Sequence, residues 1–384
     1  MATETGDRVV IQPKPEWSAN AWIRNLAEYE TLYTRSIDDP DGFWAERAAE
    51  LDWTKKWDKV VEWQFEPTPS IKYFLGGELN ASYNCVDRWV EAGKGDKPAI
   101  IFEGDPGDNR VYTYAQLKDE VSKFANVLKK HGVTKGDRVA LYLPMIAELP
   151  VVMLACARIG AIHMMVFGGF SAEALKARID NCGAKVLICA DKGYRGRKTT
   201  ASKTNADAAI TGETTVEKVI VIKRVDGDVP MQAGRDLWYH DEMAAPDITA
   251  DCPPLSVDAE HPLFILYTSG STGTPKGVLH STGGNLIDDV RQLVRRLVDT
   301  ADTGGPHTLG EHQRAAKPEA PRGKGDHRDQ ARGCEDPGCG PSGDVGVRRG
   351  LVVASHRVTG SLCERSQGRP SWTTESVELA QAGC

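Results

Sequence analysis

The chain has little of what would place it in a membrane, outside the cell or on nucleic acid. Residues 1–13 are polar and lack the apolar core of a secretory leader. The most apolar stretch, residues 139–167, is broken by Pro144, Glu148, Pro150 and Arg158. A bilayer core would penalise that Glu and Arg, so the stretch reads as buried strand, helix and strand, and no membrane partner is expected. The 9 cysteines fall in no paired framework, which excludes a disulfide scaffold and fits reduced thiols in the cytoplasm. A formal net charge of -7 gives no reason to expect nucleic acid as a partner.

Absence is most informative after residue 285. From there on the sequence has no Phe, Tyr, Met or Asn, a single Trp (Trp372) and a single Ile (Ile287), while Gly, Arg, Pro, His, Asp and Ser dominate. Such a segment buries too little apolar surface to offset the ordering of its backbone, about 1–2 kcal/mol per residue. Residues 287–298 are expected to extend a helix and the rest of the tail, 286–384, to be disordered. Losing residues with AT-rich codons while gaining Gly, Arg, Pro and Ala is also what a shifted reading frame of GC-rich DNA produces. Cys334 and Cys339, with His327 and Cys363 nearby, fit no firm ligand spacing, and no metal site is expected there.

Before residue 285 the composition is globular and the pattern is α/β. Residues 17–51 read as helical, 97–102 and 111–114 as strands, and 114–131 as a helix with Leu117, Val121, Phe124, Ala125 and Leu128 on one face. Strands at 138–143, 161–167, 185–190, 216–223 and 262–267 alternate with helices at 146–159 and 172–181. That alternation predicts a largely parallel sheet with helices on both faces. Residues 199–212 are poorer in apolar residues than a helix in that place would need. His163, Cys156, Cys182 and Cys189 lie in apolar settings and read as core residues rather than catalytic ones.

The strand at 262–267 runs into Thr268, Ser269, Gly270, Ser271, Thr272, Gly273, Thr274, Pro275, Lys276 and Gly277. Glycines allow tight backbone and close approach of a ligand, backbone amides and hydroxyls can form an anion-binding nest, and Lys276 adds a point charge. This is what holding a polyphosphate requires. It is not a Walker A loop, because Pro275 precedes the lysine and Gly277 follows it.

The order Thr-Ser-Gly-Ser-Thr-Gly-x-Pro-Lys-Gly resembles the phosphate-binding signature of the adenylate-forming superfamily: acyl-CoA synthetases, peptide-synthetase adenylation domains and luciferases. Residues 79–90, 151–179, 191–198 and 234–240, with Phe43-Trp44 in the opening, are similar to the AMP-forming acetyl-CoA synthetase branch, and the resemblance runs from about residue 15 to 284. It implies an incomplete N-terminal domain of that α/β fold: a helical segment at 1–78, a partial AMP-binding domain at 79–285 and an atypical tail at 286–384. It implies ATP with Mg2+, CoA and acetate as substrates, with Lys276 and Thr268 to Gly277 on the ATP phosphates and Arg195, Gly196, Arg197 and Lys198 on CoA. Arg197 stands where the branch has a second Gly. The family's acid pocket, adenine loop, ribose-binding Asp, hinge and C-terminal domain with its adenylation Lys have no counterpart after the loop. A ligase with little or no activity is therefore expected, with a ligase for another short acid such as propionate, or a non-catalytic nucleotide- or CoA-binding fragment, as alternatives.

Overall fold

The computed structural model describes residues 2–287 other than 6–7, 12, 20, 196–197, 226 and 269–274. Nearly all of the expected tail, and all but the first residue of the helix expected over 287–298, therefore lie outside the described residues.

The N-terminal part opens on a hairpin, β1 (Ala2–Thr5) with β2 (Arg8–Ile11), followed by helices α1 (Pro15–Ala19), α2 (Leu26–Asp38) and α3 (Pro40–Ala48). Asn25 and Asp39 start α2 and α3 by accepting the amides of Glu28 and Gly42. A second hairpin, β3 (Lys59–Gln64) with β4 (Ser70–Leu75), seats Phe74 against the paired rings of Trp53 and Trp57. The short β5 (Glu78–Leu79) leads into a helical segment with π-type stretches at Tyr83–Asp87 and Val90–Lys94. The strands expected near 97–102 and 111–114 exist as β6 (Pro98–Glu103) and β7 (Asn109–Thr113), but they pair antiparallel with each other and stand outside the main sheet.

Helix α4 (Tyr114–Lys130) begins at a capping box in which Thr113 and Gln116 exchange side-chain and backbone bonds. The doubly wound core follows: β8 (Arg138–Leu143), α5 (Glu148–Arg158), β9 (Ile162–Phe167), α6 (Ala172–Cys182) and β10 (Val186–Ala190). A small hairpin, β11 (Gly193–Arg195) with β12 (Lys198–Thr200), precedes α7 (Ser202–Ala209), β13 (Lys218–Ile222), β14 (Asp236–Trp238) and α8 (Tyr239–Ala244). Strand β15 (Val257–Asp258) pairs with β5, and β16 (Pro262–Thr268) and β17 (Lys276–Ser281) complete the seven-stranded sheet, ordered β14-β13-β10-β8-β9-β16-β17. All neighbours are parallel except β16 and β17.

Alternation along the strands divides the core. Val139, Leu141, Val186, Ile188 and Ile220 face α4 and α5, whereas Ala140, Tyr142, Leu187, Cys189 and Val219 face α6 and α7. Both faces are covered by helices, as expected. The weak apolar pattern at 199–212 has its reason in α7. Lys203 on that helix is fully buried and bonds Asp207 at 2.7 Å and Asp236 at 2.8 Å, and Arg235 pairs with both carboxylates. The helix docks through an ion cluster beside the small buried side chains of Ala206 and Ala209. Burial would raise the carboxyl pKa of Asp236, but its bonds from Arg235, Lys203 and the Gln232 amide hold it below the ordinary value.

A second buried cluster fastens the N-terminal part to the core. Arg158, at the end of α5, makes two parallel bonds to Asp87 at 2.7 and 2.9 Å, donates to Ser82 Oγ at 3.3 Å and bonds the carbonyl of Cys252. Both charged groups are 2% exposed. Asn80 Nδ2 donates to the carbonyls of Ala157, Arg158 and Leu255 at 3.0, 3.3 and 2.7 Å. Asp87→Ala leaves the guanidinium buried without its carboxylate and should cost about 3–5 kcal/mol in denaturant unfolding, with most of the loss recovered when Arg158→Met is added.

Cysteines 156, 182 and 189 are free, and burial pushes the Cys156 and Cys182 thiols up to about 12 and 11, and Cys189 higher still, so they are unreactive. His163 on β9 is buried, as expected of a core histidine, but neither ring nitrogen finds a hydrogen-bond partner among the described residues, and the ring instead lies 5.4 Å from that of Phe264. Burial lowers its pKa to about 4. In the unfolded chain it takes its proton near pH 6.5, so stability should fall as pH drops from about 6.5 to about 4, by ~3 kcal/mol in all at about 1.4 kcal/mol per unit. Unfolding curves taken across that range should show the slope, and His163→Leu should flatten it.

Candidate functional site

Because β8, β9, β10, β13 and β16 run parallel, their carboxyl ends lie along one edge of the sheet. The chain passes from β8 to β9 on one side and then returns, through α6, to β10 on the other side of β8. That reversal is the place where doubly wound sheets open a crevice for ligands. The exits along that edge are Pro144 after β8, Gly168 to Phe170 after β9, Asp191 to Arg195 after β10, and Thr268 at the end of β16.

Close packing joins these exits. A Cβ on Gly168 would stand 3.0 Å from the Leu143 and Pro144 backbone, so a side chain there would press the turn after β9 away from the end of β8. A Cβ on Gly169 would meet the Phe167 ring at 2.7 Å and the Arg195 guanidinium at 3.6 Å. The Tyr142 hydroxyl, at the end of β8, donates to the Phe170 carbonyl at 2.6 Å and accepts from Asn205 on α7 at 3.2 Å. Asp191, 1% exposed, accepts the amides of Lys192 at 2.6 Å and Arg224 at 2.8 Å, and that of Val225, which ties the exit of β10 to that of β13. Arg224 lies over the rings of Tyr194 and Phe102 and clasps Asp108 at 2.6 and 2.8 Å. The bond with Asp108 raises the Arg224 pKa and lowers that of Asp108.

Two short hairpins leave this edge, each with cations at its mouth. In one, Arg195 on β11 stands opposite Lys198 on β12 in the antiparallel register; Gly196 and Arg197, between them, lie outside the described residues. In the other, Thr268 on β16 stands opposite Lys276 on β17, and Tyr267 opposite Gly277. Ser269, Gly270, Ser271, Thr272, Gly273 and Thr274 lie outside the described residues. The structure thus brings Arg195 with Lys198, and Thr268 with Lys276 and Gly277, to the same edge of one sheet. None of these cations is paired with a carboxylate among the described residues, unlike Arg224 with Asp108. Among those residues, no three His, Cys, Asp or Glu side chains come together as metal ligands, and no helix is long and apolar enough to cross a membrane.

Sequence reasoning did not reach Tyr142, Arg178, Asp191, Asn205 or Arg224. Asp191 carried a usable signal, an acid placed directly after a strand buried along its length. The others depend on partners far away in the chain. Arg178 on α6 lies 4.8 Å from the centre of the Phe170 ring and 5.4 Å from that of Tyr267, and it is 7% exposed. Burial lowers its pKa. The Tyr267 hydroxyl donates to Asn181 Oδ1 at 2.6 Å, and burial pushes its phenol up to about 12.

A family model described as AMP-binding enzyme matches residues 86–308, and one described as acetyl-coenzyme A synthetase N-terminus matches residues 29–85. The first match carries the resemblance past residue 284, where the reading of the sequence ended it. The acetyl-coenzyme A synthetase of Rubrobacter xylanophilus is 51% identical over 287 residues, covering 74% of this chain and 43% of that protein. Those of Desulfatibacillum aliphaticivorans and Syntrophus aciditrophicus are 53% and 52% identical over 273 and 280 residues, covering 71% and 72% of this chain. The chain spans only 42–43% of the length of these relatives. With the family model matched over residues 86–308, more than half of the chain, the chain belongs to the AMP-binding enzyme family.

Proposed function

We propose that this chain carries the ATP-phosphate and CoA-phosphate binding elements of an AMP-forming acetate–CoA ligase. The observation that carries the reading is the β16–β17 hairpin, with Lys276 opposite Thr268 at the carboxyl edge of the parallel sheet. Identity of 51–53% to acetyl-coenzyme A synthetases supports the choice of acid.

In the first step an acetate oxygen attacks the α-phosphorus of MgATP, the bond to the bridging oxygen breaks, and pyrophosphate leaves with that electron pair. Thr268, Lys276 and Gly277, with the loop between them, hold the β- and γ-phosphates. Lys276 neutralises charge that grows on the departing pyrophosphate. Mg2+ arrives with ATP as part of the substrate. In the second step the CoA thiol attacks the acetyl carbon and AMP leaves. Arg195 and Lys198, with Gly196 and Arg197, take the 3′-phosphate of CoA, for which closely spaced cations suit the charge.

The span of 42–43% of the relatives' length favours a second reading of the same elements, a non-catalytic fragment that binds nucleotide or CoA. The two readings part in one assay. Purified chain is tested for acetate-dependent ATP–pyrophosphate exchange, and MgATP affinity is measured beside it by calorimetry. The expected result is MgATP binding that Lys276→Ala weakens about 10- to 100-fold, as for one lost charge-assisted contact, with no exchange. Exchange abolished by Lys276→Ala would instead show a working ligase. Wild-type chain that folds and binds no MgATP would refute both.

A further inference from the structure

Most buried or half-buried arginines in this fold answer to a carboxylate: Arg158 to Asp87, Arg224 to Asp108, Arg235 to Asp207 and Asp236. Arg178 does not. It is 7% exposed, its guanidinium makes one hydrogen bond among the described residues, to the Ala174 carbonyl at 2.6 Å, and no carboxylate pairs with it there. Its guanidinium is held instead by the faces of Phe170, at the exit of β9, and Tyr267, the last residue but one of β16. Aromatic faces attract a desolvated guanidinium, whose flat, weakly hydrated plane stacks where a lysine ammonium would not.

Tyr267 also meets the neighbouring strand. Tyr267 is the register partner of Gly277, and a Cβ on Gly277 would fall 3.2 Å from Tyr267 Cζ and 3.3 Å from Cε1. The ring therefore lies across Gly277, next to Lys276 in the chain. Its hydroxyl is pinned by Asn181 Oδ1 at 2.6 Å and bonds the Arg178 carbonyl at 3.4 Å. Phe170 is fixed in turn through its carbonyl by Tyr142. Helix α6 thereby grips the mouth of the β16–β17 hairpin, and the guanidinium supplies the plane on which the grip closes.

We propose that Arg178 is a positioning residue for Lys276: stacked on Tyr267, which covers Gly277, it sets where the lysine ammonium stands relative to a bound polyphosphate. This rests on the reading of Lys276 as a phosphate ligand. A carboxylate partner for Arg178 would place a negative charge beside the polyphosphate, whereas aromatic faces hold the cation without one.

The test is MgATP affinity of the full chain by calorimetry, for wild type, Arg178→Met, Tyr267→Leu, the double variant and Lys276→Ala, with amide hydrogen exchange of each recorded without nucleotide. Each of the two single clamp variants should bind about tenfold more weakly, and the double variant no more weakly than either, because both remove the same contact. Exchange should quicken at Tyr267 and Gly277 and stay unchanged in β8 and β10. Arg178→Lys, which keeps the charge and loses the plane, should behave as Arg178→Met does. It also serves in place of Arg178→Met if that variant fails to fold. Wild-type affinity in the Arg178 variants, with Lys276→Ala impaired, would overturn the positioning role and leave the phosphate site standing; additive losses in the double variant would overturn it too. If wild type binds no MgATP, the phosphate-site reading fails. Exchange then decides alone: quickened amides at Tyr267 and Gly277 uphold the clamp, and unchanged ones overturn it.

Discussion

Parallel pairing is the constraint on which the rest of this molecule depends. Six strands that point one way release the chain on one edge, and the chain must cross back before the next parallel strand can begin, through α5, α6 and α7 in the centre of the sheet. Residues separated by most of the core, Arg195 after β10 and Thr268 after β16, therefore share an edge without any contact that specifies their meeting. The single antiparallel partner, β17, turns back at that edge and places Lys276 opposite Thr268. Had β16 been followed by another crossover helix, the lysine would have left the edge with it.

Such a sheet exposes few polar groups, and the ones it buries are concentrated where segments join. Arg158 and Asp87 meet where the acetyl-coenzyme A synthetase N-terminus match ends at residue 85 and the AMP-binding match begins at residue 86. Asn80 bonds three carbonyls at the same junction. A buried ion pair adds little net stability over an apolar substitute, but losing one partner is costly. Its use here is in register: the two parallel bonds of Arg158 are satisfied only when the helical segment at Tyr83–Asp87 sits at one height on α5. Lys203 with Asp207 and Asp236 does the same for α7 against β14.

This division explains what could be read in the sequence. Helix α4 was legible because Leu117, Val121, Phe124 and Leu128 repeat at helical spacing and all face the core. Strands β8, β9 and β10 were legible as runs buried on both faces. Helix α7 was obscured because its buried side chains include Lys203, so its polarity imitates a surface loop. The β6–β7 hairpin has the same local pattern as a core strand, and only tertiary pairing removes it from the sheet. In the site, Lys276 and Thr268 were visible because the loop packs its chemistry into adjacent positions. Strand β17 was not, since Val278 and Leu279 are exposed and carry no buried alternation. Arg178 gave no sign, because its meaning comes from two rings, one of them 89 positions away on another strand.

The treatment of charge differs between the body and the site, and the difference has a physical cause. In the body, the buried Arg158 and Lys203 are neutralised by carboxylates, which lets them be buried. At the edge, a carboxylate on Lys276, Arg195 or Lys198 would repel the phosphate that each is read as binding, and a ligand would have to break the pair before making its own. Leaving exposed cations unpaired costs little, since water solvates them. Arg178 is the case that tests this logic, for it is buried and water cannot serve it. Its neighbours are therefore aromatic, which stabilises the cation through the ring quadrupole while adding no negative charge for a polyphosphate to meet. Rigidity is obtained at the hairpin mouth without electrostatic competition, and Gly277 suits it, because a Cβ there would press on Ile265 at 3.1 Å and on the Tyr267 ring at 3.2 Å.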